Sequence, residues 1–266
     1  MKKYSLGHPF AFLIVFLLTC FTSALSQTLD SYIIENRHKM KQAINNGDID
    51  ELAQTRQLFE RMLMMNQQEW LVHYYIALAN QNLYYFVRDD QDQQAKLIND
   101  AIEHLEMSLE LNKKFAESWT LLANMYGLQI GVDSKNTIQL SKKQKKAIKT
   151  ATKLEPDNPR LYLVSGRSAY FVPKAFGGGF EKAKADLAKA LDLFSSYEPP
   201  SDIYPQWGED ETYVWLGQIA AREDSLQLAE YYYQKALKIN PEYKWVSNYL
   251  LPTLKKKMNA TVQSDF

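Results

Sequence analysis

The sequence predicts an all-α protein assembled from stacked, antiparallel helix pairs, and three observations carry that prediction. Leu, Ala, Tyr, Lys, Glu and Gln dominate, with few of the Val-Thr alternations a half-buried strand would show. Gly and Pro gather in isolated clusters rather than punctuating short strands. Small and aromatic residues recur at one spacing, as in a supersecondary unit that buries its apolar face only by stacking on its neighbours.

At the N-terminus, Lys2 and Lys3 precede an apolar run from Phe10 to Leu18 and then Ala24-Leu25-Ser26. This is the three-part grammar of a secretory signal, so residues 1–26 are expected to be removed by cleavage after Ser26 and the remainder exported. The run is about half of the roughly 20 apolar residues a spanning helix needs. Leu17-Leu18-Thr19-Cys20 leaves a lipoprotein signal as the alternative, which Thr19 matches poorly, and membrane association is expected only through lipidation at Cys20. Cys20 is the single cysteine, so the exported part can form no internal disulfide and relies on packing. Loss of Lys2 and Lys3 leaves 29 basic against 31 acidic residues, a formal charge of −2, and no nucleic-acid partner is expected.

The single domain is expected over 27–258. Residues 28–67 read as a degenerate helical hairpin turning at Asn46-Gly47-Asp48, where Asp48 can cap the second helix. Repeat 70–113 pairs Ile76 and Ala77 with Ala101, Leu105 and Ser108, and repeat 116–156 pairs Trp119, Leu122, Ala123 and Tyr126 with Ile148, Ala151 and Pro156. Repeat 159–195 pairs Tyr162, Gly166 and Ala169 with Ala183, Leu187 and Ala190. The closing position leads the next opening one by six residues both from Lys113 to Trp119 and from Pro156 to Tyr162, which fixes the register. Between helices these repeats carry about twelve, nine and five extra residues, expected as loops on one edge. A rigid segment, SSYEPPSDIYPQWGEDE, follows.

Repeat 210–243 is the clearest: Tyr213, Leu216, Gly217, Ala220, then Ala229, Tyr233, Ala236 and Pro241, with no gap in a 34-residue frame. Small residues at Gly217, Ala229 and Ala236 let two helices approach while Tyr213, Leu216 and Tyr233 fill the space between them, and Pro241 ends the second helix. A capping helix over 244–258, shortened or kinked at Pro252, completes eleven main helices, and 259–266 is expected to be a disordered tail.

This spacing resembles the tetratricopeptide repeat family, which implies an α-solenoid, a right-handed superhelix of helix pairs. The Pro-x3-Gly-Gly turn at Pro173 and the Pro205-Gln206-Trp207-Gly208 loop are similar to those of exported bacterial members with no assigned activity, implying a periplasmic location. In the family, the first helix of each repeat lines a concave groove. Carried over by register, the groove candidates are Tyr74, Gln81, Asn124, Arg160, Arg167, Tyr170, Gln218 and Arg222, suited to an extended peptide with carboxylates. The chaperone-type carboxylate clamp is not supported, because Thr120 stands where a basic residue would precede Asn124.

Catalytic, cofactor and metal sites are not expected. Gly177-Gly178-Gly179 lacks the Lys-Ser/Thr of a phosphate loop and follows a helix rather than a strand, so it reads as an elongated turn, with anion capture at the following helix as the alternative. His38, His73 and His104 are scattered, and the stretch from Asp90 lacks the Gly and Glu of a calcium loop. The lysines from Lys142 to Lys153 wind around a helix as a solvated face. Two readings result: an exported non-enzymatic scaffold binding a protein or peptide in the groove, or a small-ligand component serving transport, with its ligand between Phe176, Gly177 and Gly178 and the Trp207 loop.

Overall fold

The computed structural model describes residues 29–87 and 89–264, so the signal segment 1–26 lies outside it. Among the described residues there are eleven α-helices and no strand. They are α1 (29–46), α2 (Ile49–Met62), α3 (Glu69–Phe86), α4 (Gln91–Leu111), α5 (Ala116–Val132), α6 (Thr137–Leu154), α7 (Pro159–Phe171), α8 (Phe180–Phe194), α9 (Glu209–Arg222), α10 (Leu226–Ile239) and α11 (Leu251–Ser264). The fold is an all-α solenoid in which α3/α4, α5/α6, α7/α8 and α9/α10 pack as intimate pairs.

Local chemistry sets the helix starts. Gly47 takes φ +68° at the first turn, and the Asp48 carboxylate accepts from the Glu51 N–H at 2.9 Å to cap α2. Asp90 caps α4 through the Gln93 N–H, and Asn158 caps α7 with Pro159 at its first position, where no N–H is missed. Inside α9/α10 the approach is so close that a Cβ on Gly217 would lie 2.5 Å from the Tyr233 ring, which explains a glycine in mid-helix.

Three expectations are corrected. The first two inter-helix insertions are not loops. They lengthen the helices instead: α3 and α4 run to 18 and 21 residues, α5 and α6 to 17 and 18, against 14 each in α9 and α10. Those insertions hold no proline, so no residue in them lacks the N–H that continues the ladder, and Gly127 and Gly131 stay within α5. Only the third forms a loop, over 172–179, because Pro173 and three glycines prevent helix. The end of the chain is helical to Ser264 rather than disordered from Asn259, since Leu251, Leu254 and Met258 anchor α11 to the last pair. Pro252 sits in the first turn of α11, after a π-helical turn over Val246–Leu250 whose wider ladder accommodates its ring.

Two long-range features position the site. First, the ends of the coil meet: Asn45 of α1 and Asn240 after α10 exchange reciprocal amide hydrogen bonds of 2.9 Å, and Asn240 also donates to Asp210 at 2.7 Å. Second, the segment between α8 and α9 folds back across the first helices of the pairs. Tyr204 packs edge-on against Trp70 of α3 and Phe115 before α5. Its carbonyl and that of Asp202 accept from Arg37 of α1, and the Ile203 carbonyl accepts from Tyr75 at 2.6 Å.

Candidate functional site

The returning segment ends in Trp207, which is held from three sides. Its indole N–H donates to the Tyr74 hydroxyl at 2.8 Å, its carbonyl accepts from Arg160 at 3.3 Å, and its ring packs among Ala123, Ala147 and Val164. Arg160 is 1% exposed and so is its partner Glu117. Arg160 Nε donates to Glu117 Oε1 at 2.7 Å and Nη2 lies 2.6 Å from the same oxygen, with the Tyr197 ring against the guanidinium. Burial works against the Arg160 charge, and Glu117 more than offsets it, holding the guanidinium above its ordinary range.

A second buried chain of polar groups runs beside the first. Asn124 donates to Gln81 and accepts from Arg167 at 2.8 Å, while Arg167 also binds Glu211 and the Tyr85 hydroxyl. The Trp215 indole donates to the same Glu211 oxygen at 3.2 Å. Burial raises the Tyr85 phenol above its usual range, with Arg167 opposing it.

Gln81, Tyr85, Arg167, Trp207, Glu211 and Trp215 form one wall of a partly open cavity of about 740 Å³ where the ends of the coil meet, within the size range of small-molecule sites. α1 contributes Arg37, His38 and Lys41, and α3 contributes Tyr75, Tyr85 and Phe86. Asp210, Glu211 and Trp215 come from α9, with Tyr243, Lys244 and Trp245 beyond α10. Asp210 is pushed up by burial, with the Asn240 amide and the Lys41 charge pulling it back. Among the described residues no group of three His, Cys, Asp or Glu could hold a metal ion, and no helix is long and apolar enough to cross a membrane.

The structure divides the sequence-derived candidates. Gln81, Arg167 and Trp207 line the cavity. Tyr74, Asn124 and Arg160 stand behind it, buried and hydrogen-bonded within the chain, so they present no open groove to a peptide. Register placed them on the inner face but could not show that residues 197–208 cover it. Tyr170 and Arg222 stack on one another at 5.2 Å outside the cavity lining, with Tyr170 edge-on behind the lining residue Trp215, and Gln218 is half-buried outside the lining too.

The expected site joining Phe176, Gly177 and Gly178 to Trp207 is not formed, since none of the three lines the cavity that Trp207 does. Phe176 is 75% exposed, while Phe180 stacks on Tyr170. All three glycine N–H groups are used internally, on the carbonyls of Lys174, Pro173 and Ala169, leaving none to cradle a phosphate. Gly177 and Gly179 hold φ of +89° and +97°, the conformations an elongated turn needs.

Sequence reasoning missed Arg37 and Lys41, one turn apart on α1, and Tyr75 and Tyr85 on α3. Their helical spacing was visible, but it is equally that of a packing face.

No protein-family model and no curated protein matches the sequence. The structure is similar to the HusA haemophore from Porphyromonas gingivalis, with TM-score 0.59 and 20% identity over 74% of this chain and 93% of that one. It is also similar to TTC0263, a thermophilic TPR protein in Thermus thermophilus, with TM-score 0.55 and 20% identity over 81% and 99% of the two chains. The fold is a tetratricopeptide-like helical repeat. At this identity the likenesses speak for the fold alone.

Proposed function

We propose that this chain is an exported, non-enzymatic binding protein that encloses a small organic molecule inside its closed helical coil. One observation carries the reading: residues 197–208 occupy the inner face where a peptide would lie, while a ring-lined cavity of about 740 Å³ stays open beside it. Trp207, Trp215 and Trp245 line the cavity, so quenching of intrinsic fluorescence reports its occupation. A metabolite panel that includes haem should yield a ligand that both quenches and stabilises. At a hundredfold excess over Kd, binding adds about 2.7 kcal/mol, or roughly 5–11 °C in Tm for a chain of this size. A panel in which nothing stabilises the chain would overturn the reading.

A protein partner is the second reading, favoured by Phe171, which is 70% exposed at the end of α7 and lies edge-on to Trp215. Co-purification from cells with wild type but not with Phe171→Ser would support it, and identical partners for both would count against it.

A further inference from the structure

We infer that the enclosed molecule is an organic anion with a flat apolar body, its negative group meeting Lys41 and Lys244. The inference rests on the cavity reading and specifies its ligand. Four permanent cations line the cavity, Arg37, Lys41, Arg167 and Lys244, against two acids, Asp210 and Glu211. The chain as a whole is formally neutral, so this excess is local.

The partners of each group sharpen the asymmetry. Glu211 is held by Arg167 and the Trp215 indole, while Asp210 accepts from the Asn240 amide and the Glu211 N–H. Both acids are therefore answered by the protein. Arg37 donates to the neutral carbonyls of Asp202 and Tyr204, which fix its position without cancelling its charge. Neither the Lys41 nor the Lys244 ammonium makes a hydrogen bond or ion pair among the described residues, although the charge of Lys41 is felt at Asp210. What the walls lack is negative charge.

Tyr85, Phe86, Trp207, Trp215 and Trp245 supply ring surface for the rest of the molecule. An aromatic wall by itself would equally suit a quaternary ammonium held by cation–π attraction. Lys41 and Lys244, with no hydrogen bond or ion pair of their own among the described residues, weigh against that choice, because they would repel it. Lysines act as point charges rather than planar forks, so a negative group of any geometry suits them.

Three probes sharing one ring system test this on the full chain by tryptophan quenching: 1-pyrenebutyrate, neutral 1-pyrenebutanol and a pyrenebutyl trimethylammonium. The carboxylate is expected to bind about tenfold tighter than the alcohol, as two solvent-screened charge pairs would give. The ammonium should bind weakest, and added salt should narrow the gap. Lys41→Gln with Lys244→Gln, both exposed positions, should bring the carboxylate down to the alcohol and leave the alcohol unchanged. Equal binding of carboxylate and alcohol, or a preference that survives the double substitution, overturns the anion assignment while the cavity reading stands. Failure of all three probes to quench overturns the cavity reading, and this inference with it.

Discussion

Replacing Arg160 with Met distinguishes a residue that holds the fold from one that binds a partner. The guanidinium and Glu117 are each 1% exposed, and three nitrogens converge on Glu117 Oε1: Arg160 Nε at 2.7 Å, Arg160 Nη2 at 2.6 Å and Asn158 Nδ2 at 2.7 Å. The second carboxylate oxygen has no hydrogen-bond partner. Met keeps most of the volume and the apolar stem but removes the charge, leaving a buried carboxylate with only the Asn158 amide. Breaking one side of a buried pair costs about 3–5 kcal/mol, which for a chain of this length lowers Tm by roughly 6–20 °C. Adding Glu117→Leu removes the stranded charge and should restore most of the loss, because apolar replacement of a whole buried pair is close to neutral. Urea unfolding followed by helical circular dichroism on the wild type, both single variants and the double variant closes the cycle. A loss under about 1 kcal/mol for Arg160→Met, or a double variant no more stable than the single, would refute the reasoning and return Arg160 to the list of binding residues.

Three further outcomes follow from the same structure. Trp207→Phe leaves the buried Tyr74 hydroxyl without its 2.8 Å donor and should cost about 1–3 kcal/mol in a thermal or urea melt. A Cβ on Gly178 would stand 2.0 Å from the Val172 carbonyl oxygen, whereas one on Gly177 meets open space at φ +89°. Gly177→Ala should therefore cost about 1–2 kcal/mol and Gly178→Ala clearly more, and equal losses would show that the turn relaxes. His73 and His104 face each other at 2.8 Å between their Nδ1 atoms, so the pair can hold only one proton there; burial lowers both pKa values from 6.5. A depressed pKa means stability that is present above 6.5 and lost as pH falls through the folded value. Tm should accordingly drop more steeply on acidification below 6.5 in wild type than in His104→Gln.

Legibility followed the range of the interactions. The spacing of Tyr213, Gly217, Ala229 and Tyr233 announced a close helix pair, and the Gly217 to Tyr233 approach shows why those residue sizes recur. Asp48 declared itself as a cap from its neighbours alone, and the Asp48 to Glu51 bond spans three residues. The extra residues of the first two repeats misled because a count of residues does not say whether they form a loop or another turn of helix. Of the groove candidates, register found Gln81 and Arg167 at the cavity but also Arg160 and Tyr74, which the chain itself occupies.

The sequence by itself determined the helices, their pairing and the turn at three glycines, since periodicity, capping and positive φ are set by residues a few places apart. Only the tertiary structure decided that Trp207 lies against Tyr74, 133 residues away, and that Asn45 meets Asn240 across 195. Those contacts depend on the accumulated rotation from one helix pair to the next, and small angular terms spread over many packed side chains leave no local mark in the chain. Closing the coil is what turned a face expected to be an open groove into the wall of a cavity.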